Sequence, residues 1–373
     1  MEPRDQTPTG GAAVEDNVLD FVYDALPGRV IFGVGSLERL PEEVARLGAE
    51  KALVLSTPPQ REQAEDVARR LGSRVAGIYD RAVMHVPIET AEAAREEARR
   101  LGADVCVAVG GGSTIGLGKA IALAFDLPII AVPTTYAGSE MTPLWGLTEG
   151  GVKKTGRDPR VLPKAVIYDP TLTLTLPIHI AGPSGMNAIA HCVEALYSET
   201  ANPVSSLMAA EGIRALAESL PTVVIRPGEL EARAQALYGA WLAGASLAVV
   251  GMALHHKLCH TLGGSFDLPH AETHTIVLPH AAAYNREAAA QAMARVAESL
   301  GSDDAPGGLY DLAERLGARL ALKDIGMREE DLDRAADLAT RNPYYNPRPV
   351  TRDGVRALLD DAYHGRRPAP GAR

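Results

Sequence analysis

Apolar runs that alternate with amphipathic stretches, followed by a purely helical remainder, predict an α/β domain built on a parallel sheet and joined to an all-α domain. Three observations carry this. Between residues 52 and 132, short Val/Ile/Leu/Ala runs are separated by helix-period segments, as strands covered on both faces require. Beyond about residue 177 the strand signals vanish. With 373 residues, 46% of them hydrophobic, the chain is long enough to bury two cores.

Residues 1–16 are rich in Pro, Gly and acids and lack an apolar run, which predicts a disordered tail with no secretory signal. The α/β domain is expected over 17–180. Phe21-Val-Tyr23 and Arg29-Val-Ile-Phe-Gly33 read as short strands, and Gly33-Val-Gly-Ser36 turns into an acidic-fronted helix over 37–47. Then come strand 52–55, helix 60–71, strand 75–79, helix 88–101, strand 105–109, helix 113–125 and strand 128–132. A boundary is placed near residues 178–183, opening a helical domain over 181–373. Its helices are expected at 185–197, 203–220, 229–262, 272–298, 309–316, 329–341 and 351–363.

The formal charge of −10, with no basic run longer than a pair such as Arg366-Arg367, excludes the footprint of a nucleic-acid binder and favours small soluble partners. Cys106, Cys192 and Cys259 are widely spaced in apolar surroundings, which fits buried thiols in a reducing compartment and a cytoplasmic location. Residues 237–254 hold 18 positions without a charge, long enough for a membrane span. Gly239, Gly244 and Gly251 interrupt the run, and a central buried helix explains it better, so no membrane association is expected.

Val109-Gly-Gly-Gly-Ser-Thr114 links a buried strand to a helix, where an open α/β sheet binds phosphates: glycines admit close backbone approach and free N–H groups face the anion. Gly111, Gly112 and Ser113 are the expected pyrophosphate residues. One strand later, Pro133-Thr-Thr-Tyr-Ala-Gly-Ser-Glu140 places hydroxyls at the next strand end, facing the same crevice. Ser56, in Ser56-Thr-Pro-Pro59, stands where such folds often carry an acid for the adenosine ribose. None is present, so the charge pattern admits NADPH as well as NADH.

Six of the ten histidines (His255, His256, His260, His270, His274 and His280) fall between residues 255 and 280. His256 and His260 are i and i+4, read as the last turns of a helix stopped at Gly263-Gly264; His270 follows on a loop. Asn187 and His191 repeat the spacing on another helix. Imidazoles gathered this way suit either a metal or proton transfer near neutral pH.

Gly110-Gly-Gly-Ser113 with Lys119, Pro133-Thr-Thr135 with Gly138-Ser-Glu140, Lys153, Leu162-Pro-Lys164, Asp169 to Pro177, Asn187 with His191, Glu194-Ala-Leu-Tyr197, His256 and His260, Pro269-His270, Leu278-Pro-His280 and Asn346-Pro-Arg348 together resemble the iron-containing alcohol dehydrogenase superfamily, over about residues 20–365. The resemblance implies the dehydroquinate synthase-like architecture, NADH or NADPH in a cleft between two domains, and a homodimer joined through the early strands. It places Gly111, Gly112, Ser113, Thr134, Thr135, Ser139, Thr173 and Leu176 along the cofactor, with Lys153 at the reacting end.

Three departures stand out. The superfamily's metal site of one Asp and three His corresponds here to Asn187, His191, His256 and His270, so the only anionic ligand is lost, and no metal is expected. Gly116 replaces an Asp of the following helix, and Tyr136 lengthens the Thr-Thr loop. These departures resemble one branch, whose members reduce the conjugated double bond of maleylacetate to 3-oxoadipate in aromatic catabolism. That branch implies a small dicarboxylate enone as substrate. In that chemistry His256 and His260 are expected as proton donor and enolate stabiliser, with His191, His270 and Asn187 beside them and Lys153 pairing with a carboxylate; Arg157 either joins Lys153 or is a solvated loop charge. Two other readings fit the same residues: an Fe/Zn alcohol dehydrogenase holding its metal on His191, His256 and His270, and a reductase of another enone or keto acid.

Overall fold

The computed structural model describes residues 21–26, 28–150 and 152–370. The tail expected over 1–16 lies outside the described residues. The first half runs β1 (Val30–Phe32), α1 (Leu40–Arg46), β2 (Ala52–Leu55), α2 (Arg61–Leu71), β3 (Val75–Tyr79), α3 (Ile88–Leu101), β4 (Val105–Gly110), α4 (Gly112–Phe125), β5 (Ile129–Pro133), β6 (Leu144–Glu149), β7 (Val152–Arg157) and β8 (Ala165–Tyr168). Six strands form one sheet in the order β1-β8-β5-β4-β2-β3, every pairing parallel. The chain leaves β2 toward β3 at one edge, then returns past it to β4 and proceeds the other way. The crevice therefore opens beyond the carboxyl ends of β2 and β4, where diverging connections leave backbone uncovered.

The central strands are fully buried because helices cover both faces, which explains their continuous apolar runs. Two features escaped the sequence reading. β8 is only four residues long, and β6 and β7 form an antiparallel hairpin whose polar residues, among them Glu149, Lys153 and Lys154, mask alternation. The Gly150-Gly151 pair between these runs was the available signal. The strand expected at Phe21–Tyr23 is instead irregular; Phe21 and Val22 are exposed and pair with no strand.

The second half is helical: α5 (Ile178–Leu196), α6 (Pro203–Ile225), α7 (Leu230–Val249), α8 (Leu254–Phe266), α9 (His270–Asn285), α10 (Ala290–Leu300), α11 (Ala305–Arg315), α12 (Leu332–Thr340) and α13 (Arg352–His364). Strands thus give way to helices between Tyr168 and Ile178. Two expected long helices are each broken. The 229–262 segment divides into α7 and α8, bent by 98°, and the 272–298 segment ends α9 at Asn285 before α10 begins at Ala290. Gly263 and Gly264 lie inside α8, and the left-handed stop is Asp267 (φ 55°). His270 opens α9 and does not sit on a loop.

The uncharged run at 237–254 straddles the bend and packs into the core; among the described residues no single helix is long and apolar enough to cross a membrane. All three cysteines are free and buried.

α7 reaches the sheet through a glycine contact. Gly138 adopts φ 78°, and a Cβ on Gly244 would collide with the Gly138 carbonyl. Gly244→Ala is therefore expected to force α7 off the loop that follows β5, costing about 1–3 kcal/mol by urea unfolding and raising the KM for the nicotinamide cofactor. Unchanged unfolding and KM would contradict this packing account.

Candidate active site

The crevice is built from backbone. β4 ends at Gly110 (φ 153°), Gly111 caps α4, and α4 starts at Gly112 with its first N–H groups directed outward. A Cβ on Gly111 would lie 2.9 Å from the Thr135 side chain, so glycine keeps this cradle open. Ser113 follows in the first turn of α4. Thr134 donates its N–H to the Gly110 carbonyl (3.1 Å), and its hydroxyl accepts from Gln60 Nε2 (2.6 Å), which ties the β2, β4 and β5 ends together. Ser56 Oγ and Thr114 Oγ1 are buried here without a partner among the described residues. Thr173 and Leu176 lie beyond β8, with Thr173 Oγ1 donating to Pro170 O (2.8 Å). Open amides, a glycine cradle and spare hydroxyls fit a dinucleotide pyrophosphate.

The loop carrying Ser139 is held from below. Lys119, fully buried in α4, donates to Ser139 O (2.7 Å), Leu144 O (2.8 Å) and Thr142 Oγ1 (3.0 Å). Burial pushes this amine down to about 7, whereas three acceptors match the three protons of the ammonium and favour the charged form. Tyr136 takes the loop into the helical half: its N–H donates to Ser184 Oγ (3.0 Å), and the buried Arg233 donates to its hydroxyl (3.4 Å). Gly116, in place of an acid, has Val86 Cγ2 only 2.9 Å from where its Cβ would stand, so a larger residue there has no room.

The histidines form layers. Deepest, His255 Nε2 and His274 Nδ1 share a hydrogen bond of 2.9 Å, with Cys259 Sγ 3.7 Å from His255 Nε2. In front lies a chain: Glu194 Oε2 to His256 Nδ1 (2.7 Å), His256 Nε2 to His191 Nδ1 (2.7 Å), and His191 Nε2 to the Ala137 carbonyl (3.2 Å). His260 and His270 stand outermost; neither makes a hydrogen bond among the described residues. His260 is exposed by area yet walled in by the cleft, and this enclosure, then the Lys153 charge, holds it well below the ordinary imidazole value. His270 is lowered for the same two reasons.

The chain fixes its own proton count. Ala137 O only accepts, so His191 Nε2 carries a proton; the contact between the rings needs a second, and that between His256 and Glu194 a third. Two neutral imidazoles and a carboxylate supply only two. Glu194 also accepts the N–H groups of Ala253 (2.9 Å) and His255 (2.7 Å). Burial opposes its ionisation, but the His256 charge and these donors hold the carboxyl below its usual value. Burial, then the charge on His256, pushes His191 far down. The chain of contacts therefore closes with one proton beyond those of two neutral rings and a carboxylate, held along Glu194, His256 and His191.

Lys153, on β7, points into a cavity of about 500 Å³ lined by His85, the Gly263–Asp267 turn and residues 326–334. Burial lowers its pKa. Arg157 is not beside it, because its guanidinium is committed to the Ala248 carbonyl. Glu194, outside the expected site, belongs to it; an acid three residues after His191, on the same face of α5, is its signal in the sequence.

The fit of a metal can be judged from these atoms. Two nitrogens bound to one divalent ion at about 2.1 Å sit roughly 3.0–3.4 Å apart. His191 and His256 approach to 2.7 Å, a hydrogen-bond distance. Asn187 contributes a buried, unpartnered Oδ1 and no charge. This donor set suits a shared proton better than the iron of related sites.

A dinucleotide crevice facing clustered proton-handling side chains defines a nicotinamide-dependent oxidoreductase. The chain belongs to the iron-containing alcohol dehydrogenase family. Residues 27–170 match the family described as iron-containing alcohol dehydrogenase, and residues 182–363 match the C-terminal part of the Fe-containing alcohol dehydrogenase family. Maleylacetate reductase from Burkholderia cepacia is 59% identical over 94% of this chain and 99% of its own length. The crystal structure of maleylacetate reductase from Agrobacterium tumefaciens superposes with a TM-score of 0.90 at 54% identity, over 94% of this chain and 100% of that one. The maleylacetate reductase of Rhizobium sp. strain MTP-10005 gives 0.89 at 54% identity, over 94% and 100%.

Buried neutral imidazoles make the fold acid-sensitive. Burial lowers His255 and His274 far below 6.5 and takes His280 down to about 4. Below about pH 6.5 the unfolded chain binds protons that the folded one does not, so stability falls with pH, by about 1.4 kcal/mol per pH unit and ring. Urea unfolding at pH 7.5 and 5.5 is expected to show a loss of at least about 3 kcal/mol; a flat profile would contradict it.

Proposed function

We propose that this enzyme reduces the carbon–carbon double bond of maleylacetate with NADH or NADPH, giving 3-oxoadipate, by acid–base chemistry without a metal. The observation that carries the reading is the unbroken chain of 2.7 Å contacts from Glu194 through His256 to His191. The nicotinamide, when bound along Gly111, Gly112, Ser113, Thr134, Thr135 and Ser139, supplies the hydride.

In the substrate the double bond is conjugated with the 4-oxo group. Hydride arriving at the carbon beside the first carboxylate leaves an enolate on the 4-oxo oxygen. Lys153 and the neutral His260 stabilise that oxygen by hydrogen bonding. The carbon between them needs one proton, and His256 supplies it, breaking its contact with His191 while Glu194 keeps the ring in place. The bookkeeping closes: one hydride, one proton, one saturated bond. His270 lines the same face, and Asn187 fills the position of the lost acid without adding charge.

An alcohol dehydrogenase polarises a carbonyl with its ion. Here the substrate's own oxo group withdraws electrons, so a fixed ammonium and imidazole suffice. No carboxylate follows β2 at Ser56 to repel a 2′-phosphate, which supports use of both nicotinamide cofactors. The exposed edge strand β1, with Phe32 and Val34 uncovered, supports assembly as a homodimer.

Purified protein is expected to oxidise NADH or NADPH only when maleylacetate is added, to contain far less than one equivalent of iron or zinc, and to keep its activity in chelator. Stoichiometric metal with activity lost to chelator would favour the metal-dependent reading. His256→Ala should lower kcat by about a hundredfold or more while cofactor binding persists. Unchanged turnover would remove His256 from the mechanism.

A further inference from the structure

The cavity beside Lys153 contains a second cation that the chemistry above does not use. Its walls come from both halves of the molecule: Thr148 and Lys153 of the hairpin, His85, the C-terminal turn of α8, and the segment leading into α12. Its charged groups are Lys153, Arg328 and Arg334 against Asp267 and Asp331. Arg328 is already neutralised, by Glu330 (2.8 Å) and Asp331 (2.7 Å). Arg334 is different. Its guanidinium lies over the Phe266 ring, 5.3 Å from the centroid, and takes part in no ion pair or hydrogen bond among the described residues. Lys153 likewise lacks a partner among the described residues.

Among the described residues Lys153 and Arg334 are without an ion pair, as is Asp267, so the cavity carries one more free cation than free anion although the formal charge of the chain is −10. A guanidinium that lies over an aromatic ring and makes no ion pair keeps its N–H groups available, and such a fork receives a carboxylate on two parallel hydrogen bonds. Gly263 and Gly264 add to this. Glycine inside a helix costs about 1 kcal/mol relative to alanine, and here the missing side chains leave the cavity floor open beside Lys153 and His85.

We propose that Arg334 binds the carboxylate of the substrate farther from the double bond, while Lys153 serves the reacting end, so that the cavity selects dianions. This assignment rests on the proposed reduction of maleylacetate. It makes Arg334 a specificity residue with no part in hydride or proton transfer. Phe266, whose ring lies under the guanidinium, is its positioning residue.

The test compares maleylacetate with 4-oxopent-2-enoate, which keeps the enone and the nearer carboxylate but has a methyl group in place of the far carboxymethyl. Wild-type protein is expected to favour maleylacetate in kcat/KM. Arg334→Gln should cut that preference about tenfold or more, through KM for maleylacetate, with kcat and the cofactor KM unchanged. Arg334→Lys keeps the charge but loses the fork and should fall between. Arg334 is exposed and unpaired, so both variants should melt like wild type. If wild type turns over maleylacetate and the preference survives in Arg334→Gln, the assignment of Arg334 is wrong while the function stands. If wild type reduces neither compound, the function fails and the assignment with it.

Discussion

The Glu194 carboxylate is the point on which the site turns. It is fully buried on α5, yet it receives the first free amides of α8 and the Nδ1 proton of His256. Those amides become available only because the chain bends by 98° between α7 and α8. One side chain thus terminates the long apolar segment, starts the histidine helix and fixes a ring nitrogen. An uncompensated carboxylate at that depth would be prohibitively costly. Its hydrogen bonds to His256 and to the amides of α8 are what make its burial tolerable, so the anchor of the helix also holds the residue proposed as the acid of the reaction.

That pairing also explains how a metal-site geometry can serve another chemistry. The resemblance places the family's ion on three histidines and an Asp, and the position of that Asp here is Asn187. With the carboxylate placed behind the rings, on the far side of His256, the assembly of two imidazoles, one carboxylate and one extra proton is electrically neutral. A divalent ion added to it would have no anion in direct contact. The outer side chains of His260, His270 and Lys153 make no hydrogen bond among the described residues, and the enclosure of the cleft keeps the two imidazoles neutral.

The sequence disclosed the parallel sheet, the glycine turn and the histidine clusters because each leaves a local pattern: alternation, a glycine string, i and i+4 spacing. The bend between α7 and α8 left no such mark. Residues 229–262 read as continuous helix, since the break is produced by a carboxylate nearly sixty residues earlier in the chain, with only Gly251 as a local trace. The hairpin of β6 and β7 was hidden by its lysines, which face a cleft and not a core. Arg157, in sequence either a second carboxylate partner or a solvated loop charge, is turned by the fold toward the Ala248 carbonyl. Arg334 carried no signal at all, because its importance lies in the partner it lacks.

Neutron diffraction on crystals grown near neutral pH observes directly a proton held along Glu194, His256 and His191. The account predicts three exchangeable hydrogens along the chain, on Nδ1 and Nε2 of His256 and on Nε2 of His191, with Glu194 unprotonated. Two hydrogens only, or scattering density for an ion between His191 and His256, would contradict it.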